Sequence, residues 1–173
     1  MSAIDNTPTN LNLQGPQHFK FIMNRAPMTE FFLQKCNIPD ITMPIAKQPT
    51  FFNSIPHPGN ELNYGPLNIS FLLDENWNNF LEIHNWLRGI AGPESDTEHT
   101  RLGNEDLGYG IKSDIQILVL SSKKNPTIKF TYVDAFPTSL RGFMFDTTRT
   151  DAPQVGIQAT FAYTLYNVDI SDV

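Results

Sequence analysis

Charge is what this chain has least of. Only 17% of its 173 residues are Asp, Glu, Lys or Arg, with 12 basic against 18 acidic groups and a formal net charge of −6. Beyond Lys123-Lys124 there is no Lys/Arg cluster. Tight nucleic-acid binding rests on neutralising phosphates, so that class of function is disfavoured. A single cysteine, Cys36, excludes an internal disulfide and suits a reducing compartment. With no neighbouring base or glycine elbow, Cys36 reads as a buried, inert thiol. No apolar run approaches the roughly 20 residues that span a bilayer, so no membrane role is expected. Residues 1–16, MSAIDNTPTNLNLQGP, lack the basic and apolar regions of a signal peptide, and assembly in cytoplasm is the expectation.

Catalytic signals are missing too. His18, His57, His84 and His99 fall in no metal-ligand spacing, and no triad or dyad pattern is present. The Gly108-x-Gly110 pair precedes a strand rather than opening a helix, the wrong context for a phosphate loop. Asp146 and Asp151 bracket a Thr-rich stretch whose spacing is that of a polar turn with local side-chain bonds. The chain therefore reads as no enzyme, with no metal and no cofactor.

What is present is aromatic, proline-rich and glycine-rich: 13 Phe, 13 Pro and 10 Gly. Aromatic side chains favour strands and Pro and Gly punctuate loops, which points to a strand-and-loop protein of one domain. Leu67 to Ile90 organises it. Leu67, Ile69, Phe71 and Leu73 alternate with Asn68 and Ser70, the period of a half-buried strand. Asp74 stands where a helix N-cap belongs, with Glu75 in the first turn. Trp77, Phe80, Leu81, His84 and Leu87 then recur at helical spacing, so Trp77, Phe80, Leu81 and Leu87 are the expected core face, with Trp86 off the stripe. Gly89 and Gly92-Pro93 end the helix.

Residues 1–16 form a polar segment, and 17–173 the domain. His18–Met23 reads as a strand forming a hairpin with the apolar run Glu30–Ile38. Residues 39–66 contain Pro39, Pro44, Pro49, Pro56, Pro58 and Pro66, which exclude a long helix or a central strand. The same stretch holds Phe51, Phe52, Ile55, Leu62 and Tyr64, too apolar for water. It reads as an arm, packed either on another subunit or on its own domain. Residues 91–112 are charged and Gly-rich, an exposed loop. Four strand-like segments follow: Asp114–Leu120, Thr127–Phe136, Ser139–Asp146 and Val155–Val168. The sum is a mainly β, antiparallel sandwich or barrel-like fold with one flanking α-helix. The polar faces of its strands carry Asn68, Ser70, Gln116, Thr131, Gln158 and Thr160.

In order, these pieces resemble the tail-tube proteins of contractile-tailed bacteriophages and the baseplate proteins that start the tube. The likeness lies in Leu62-Asn63-Tyr64, in Pro66 to Phe71, and in Asp74 with the helix to Trp86. It continues in Ser113-Asp114-Ile115 to Leu120, Phe136-Pro137-Thr138-Ser139-Leu140 and Ile157 to Tyr163. The resemblance implies a homohexameric ring whose inner strands close into a β-barrel, rings that stack through loops and arms, and a channel that passes DNA without binding it tightly. It also implies sheath and baseplate partners and a place in the tail of the virion. The six polar residues then become lumen-lining candidates, in a lumen expected to be neutral to acidic with Lys129 as the one intruding cation. Phe51, Phe52, Ile55, Leu62 and Tyr64 become the subunit interface. Similar tubes serve type VI secretion and other contractile injection systems. The long arm and the 91–112 loop depart from a plain tube subunit, which keeps a tube-initiator or tube-terminator ring open. A carbohydrate- or host-surface-binding β-sandwich using Trp77, Trp86 and Tyr109 is the alternative of another class.

Overall fold

The computed structural model describes residues 13–92, 110–148 and 154–170. Eleven strands and two helices follow one another as β1 (Phe19–Met23), α1 (Pro27–Phe31), β2 (Leu33–Cys36), β3 (Ile41–Thr42), β4 (Ile45–Pro49), β5 (Ser54–Pro58), β6 (Asn63–Tyr64), β7 (Leu67–Leu72), α2 (Asn78–Ala91), β8 (Ser113–Leu120), β9 (Pro126–Leu140), β10 (Gly156–Ala162) and β11 (Leu165–Ile170). Seven strands make one antiparallel sheet in the order β1-β8-β9-β10-β7-β2, with β11 also on β9. The mainly antiparallel β architecture expected from the sequence is therefore present.

The sheet folds over on itself at β9. The first part of this strand pairs with β8 and β11, and among the described residues its last part pairs only with β10. Between the two lies Asp134 at φ 59°, a left-handed conformation that Asp tolerates better than most residues. Its N–H donates to the Asp114 carboxylate at 3.1 Å, which fixes the bend. The result is two layers sharing one strand. Phe21, Ile117 and Tyr132 from one layer and Leu67, Phe71, Ile157 and Phe161 from the other bury into a single core. On β7 burial alternates as the period of two predicts, with Leu67, Ile69 and Phe71 inside.

Several boundaries differ from the sequence reading. β1 pairs with β8, not with the segment after it, and Leu33–Cys36 pairs with β7. The physical reason is Pro27, which starts the short helix α1 and carries the chain across to the other layer. Thr127–Phe136 and Ser139–Leu140 belong to one strand, β9, because a bulge at Thr138 lets the pairing pass Pro137, while residues 141–146, expected to continue a strand, lie in a loop beyond it. Val155–Val168 is two strands, and after Thr164 the chain turns back onto the other half of β9.

The helix also corrects the sequence reading. It starts at Asn78, since the Trp77 N–H is taken by the Asp74 carbonyl in a turn and Trp77 sits at φ 62°. Its inward residues are Asn79, Ile83 and Trp86, with Gly89 beside them. Leu81 is 44% exposed, Trp77, Phe80 and Leu87 are half-buried, and Trp86 is 2% exposed. Contacts from elsewhere choose this face. The Glu82 carboxylate accepts the N–H groups of Met28 and Thr29 at 3.3 and 3.1 Å, capping α1, and the Thr29 hydroxyl donates to the Asn79 carbonyl at 3.0 Å. Docking α1 there turns Ile83 and Trp86 inward. The Trp86 Nε1–H donates to the Ile111 carbonyl at 2.8 Å, and the Arg25 guanidinium lies 5.1 Å from the ring centroid. Burial raises the Glu82 pKa, while the N–H groups it accepts oppose the rise.

Candidate assembly surfaces

Residues 39–66 form an arm built from two stacked pieces of hairpin. At its base β3 pairs with β6, and the Gly65 N–H donates to the Asp40 carbonyl at 2.8 Å. Beyond it β4 pairs with β5 from Ile45↔Pro58 to Pro49↔Ser54. Pro49, Pro56 and Pro58 are admissible because this is a two-stranded ribbon with edges on both sides. Gly59 is required where the chain re-enters: a Cβ there would stand 2.3 Å from the Pro44 carbonyl oxygen, whose acceptor position the Gly59 N–H fills at 2.9 Å.

All residues of β4 and β5 are exposed. At the tip Phe51 and Phe52 are each 95% exposed, edge to face at 5.4 Å. Ile55 and Leu62 are exposed as well. Burying a Phe side chain is worth about 1.5–3 kcal/mol, so the exposed Phe51-Phe52 tip is a candidate interaction surface. Tyr64 is different. Its ring packs 6.0 Å from Tyr163 and 5.6 Å from Tyr166, and the Tyr163 hydroxyl donates to the Gly65 carbonyl at 2.9 Å. It belongs to the root that anchors the arm on its own domain, while β4 and β5 stand exposed beyond it. Burial raises the pKa of Tyr132, whose ring lies 5.0 Å from Tyr163, and pushes Tyr163 up to about 12, with the neighbouring tyrosines adding to both.

The polar strand faces separate into two. In the layer β2-β7-β10-β9, Gln158 stands opposite Ser70 and Thr160 opposite Asn68, with the Thr160 hydroxyl donating to Asn68 Oδ1 at 2.9 Å. Gln116 stands opposite Thr131 in the other layer. The six residues thus lie on opposite outer faces of the fold, and one channel wall can take the four or the two but not all six. Alternation along a strand shows which residues share a side of that strand, not which of two layers a strand joins. Lys129 is on the face of Gln116 and Thr131, 3.8 Å from Asp169. The face of Gln158 instead carries Arg141, whose Nη1–H donates to Gln158 Oε1 at 3.1 Å, and Lys35 opposite Ser70. No carboxylate alternates with these two cations on the strands of this face.

Sequence reasoning missed a third surface. Trp77 packs against Phe80, Phe143 and Phe145 at ring distances of 5.6, 5.4 and 6.1 Å, and the exposed His84 stacks on Phe80. Phe145 is 71% and Met144 88% exposed. The run Phe143-Met144-Phe145 was the available signal, hidden by the strand assigned to it.

Other residues behave more simply. Asp146 accepts the N–H and hydroxyl of Thr148, the local turn expected, and these bonds lower its pKa; Asp151 lies outside the described residues. Burial pushes the Cys36 thiol up to about 11. Trp86 is buried and no platform for a sugar, and Tyr109, with most of the 91–112 loop, lies outside the described residues. Among the described residues no group of three His, Cys, Asp or Glu gathers that could hold a metal, and no helix is long and apolar enough to cross a membrane.

The sequence profile of the phage tail tube proteins matches residues 6–169. This chain belongs to that family. Among curated protein sequences none matches significantly. Among solved structures, this chain resembles a chain of the tube-terminating cap of the anti-feeding prophage, with a TM-score of 0.62 at 15% identity over 99% of this chain and 100% of that one. It also resembles a chain of the extended sheath-tube complex of the extracellular contractile injection system PVC, with a TM-score of 0.57 at 14% identity over 93% and 94%. A chain of that system's sheath/tube terminator gives 0.56 at 15% identity over 92% and 99%. At these identities the likeness is one of fold. Family membership gives this chain a tube-related structural role.

Proposed function

We propose that six copies of this chain close into a ring, that rings stack into a tail tube, and that the face of Asn68, Ser70, Gln158 and Thr160 lines the channel through which DNA passes. The observation that carries the reading is that this half of the sheet has a hydroxyl- and amide-rich outer face and two open edges. Among the described residues β2 has a partner only in β7, and the last residues of β9 only in β10. Exposed edges invite uncontrolled pairing, and closing them around a ring removes them. The opposite face, with Lys20, Lys129 and Asp169, then looks outward, towards sheath and baseplate proteins. DNA slides most freely where few phosphates are neutralised, and this face carries two cations, Lys35 and an Arg141 whose position is fixed by its bond to Gln158. Assembly takes place in the host cytoplasm, and the finished tube is part of the virion tail. The length of the apolar arm favours a second reading as a specialised ring that starts or ends the tube.

Thiol labelling tests the channel. Gln158→Cys in assembled tubes reacts with a small reagent and is shielded from a bulky one added outside, whereas Gln116→Cys on the opposite face takes both. Equal labelling of the two variants by the bulky reagent would overturn the assignment of the lumen.

A further inference from the structure

The arm and the aromatic cluster stand at opposite ends of the same layer. β7 begins beside the arm root, where Gly65 is bound by Tyr163, and ends at Leu72, opposite Gly156. β10 runs the other way, from Gly156 back to Ala162 beside the root. The cluster of Trp77, Phe143 and Phe145 follows the far ends of β7 and β9, where the Leu73 N–H donates to the Val155 carbonyl. One end of each copy therefore extends an apolar ribbon, and the other end presents apolar rings. Among the described residues, Phe51 and Phe52 on the one surface and Met144 and Phe145 on the other stand exposed.

The charges complement one another as well. Residues 43–59 of the arm carry Lys47 and no other charged residue beyond His57, while Asp74, Glu75 and Asp146 border the cluster. Arg141, the nearest cation in sequence to Phe143, is bonded to Gln158. A contact between unlike ends of identical chains is heterologous, and one that does not close on itself propagates as an open stack.

We propose that the Phe51-Phe52 tip of one copy seats on the Trp77-Phe143-Phe145 cluster of a second copy in the adjacent ring, with Lys47 facing the acidic border. This rests on the ring reading above and names the surface through which rings join. Phe52 and Phe145 are both exposed enough to be replaced without loss of the fold. Full-length chains carrying Phe52→Cys or Phe145→Cys are mixed before assembly and oxidised, and particles are counted by electron microscopy. The expected product is a disulfide between the two variants and not within either alone. In a separate chain, Phe51→Ala with Phe52→Ala leaves rings but lowers the stacked fraction at least about tenfold. Rings, stacked or single, without the mixed disulfide overturn the docking and leave the ring standing, as does a Phe52→Cys chain that pairs only with itself. Monomers with no cross-link overturn both.

Discussion

Trp86→Ala against Leu81→Ala is the sharpest test of how α2 is seated. Trp86 is 2% exposed, its ring lies 5.9 Å from that of Phe161, and its N–H holds the Ile111 carbonyl at the entrance to β8. Truncation removes a large buried side chain and leaves a cavity, which costs about 3–5 kcal/mol. The freed Ile111 carbonyl adds little, since Ile111 is 38% exposed and water can reach it. Leu81, at 44% exposure, loses less than about 1 kcal/mol on truncation. With a urea slope of about 2 kcal/mol per molar, the Trp86 variant unfolds about 2 M earlier and the Leu81 variant within about 0.5 M of the parent. Circular dichroism on chains kept dilute enough to be monomeric reads both midpoints. Equal shifts, or a larger one for Leu81, would refute this seating and restore the stripe of Trp77, Phe80, Leu81 and Leu87.

Other outcomes follow from single groups. Asn79 is fully buried, donates to the Leu72 carbonyl at 2.6 Å and accepts the Phe80 N–H at 2.9 Å, so Asn79→Ala destabilises by about 2–4 kcal/mol in urea titration; a change below about 0.5 kcal/mol would contradict its role in starting α2. The folded-state pKa of Glu82 is raised above 4.5, so its contribution to stability is full below that pH and is lost as pH rises through the folded value. Glu82→Gln should flatten that fall, and an unchanged pH profile would remove Glu82 as its source. Cys36, pushed to about 11, reacts slowly with maleimide near neutral pH until the chain is unfolded, and equal rates with and without urea would contradict its shielding.

Where the sequence was legible, the signal was local. The alternation from Leu67 to Phe71 needs only a strand with one dry side, and the proline spacing in 39–66 excludes a central strand whatever surrounds it. The helix was legible as a helix, yet its sequence offers two apolar faces, one through Phe80 and Leu81 and one through Ile83, Trp86 and Ile90. The choice is made by Glu82 and Thr29, contacts across some fifty residues that no periodicity records. Strand partners were hidden for the same reason: β2 reaches β7 only because Pro27 opens a helix between β1 and β2. Of the assembly surfaces, the arm tip was legible as unsolvated apolar residues among prolines. The division of the polar residues between two faces depends on β9 bending at Asp134, and the cluster around Trp77 on a loop read as strand.

Electron microscopy of the purified full-length chain tests the central claim most directly. The account predicts closed six-fold rings with a central channel, singly or in stacks, built from copies of 19.6 kDa. A folded chain that stays as isolated 19.6 kDa particles at high concentration would contradict it.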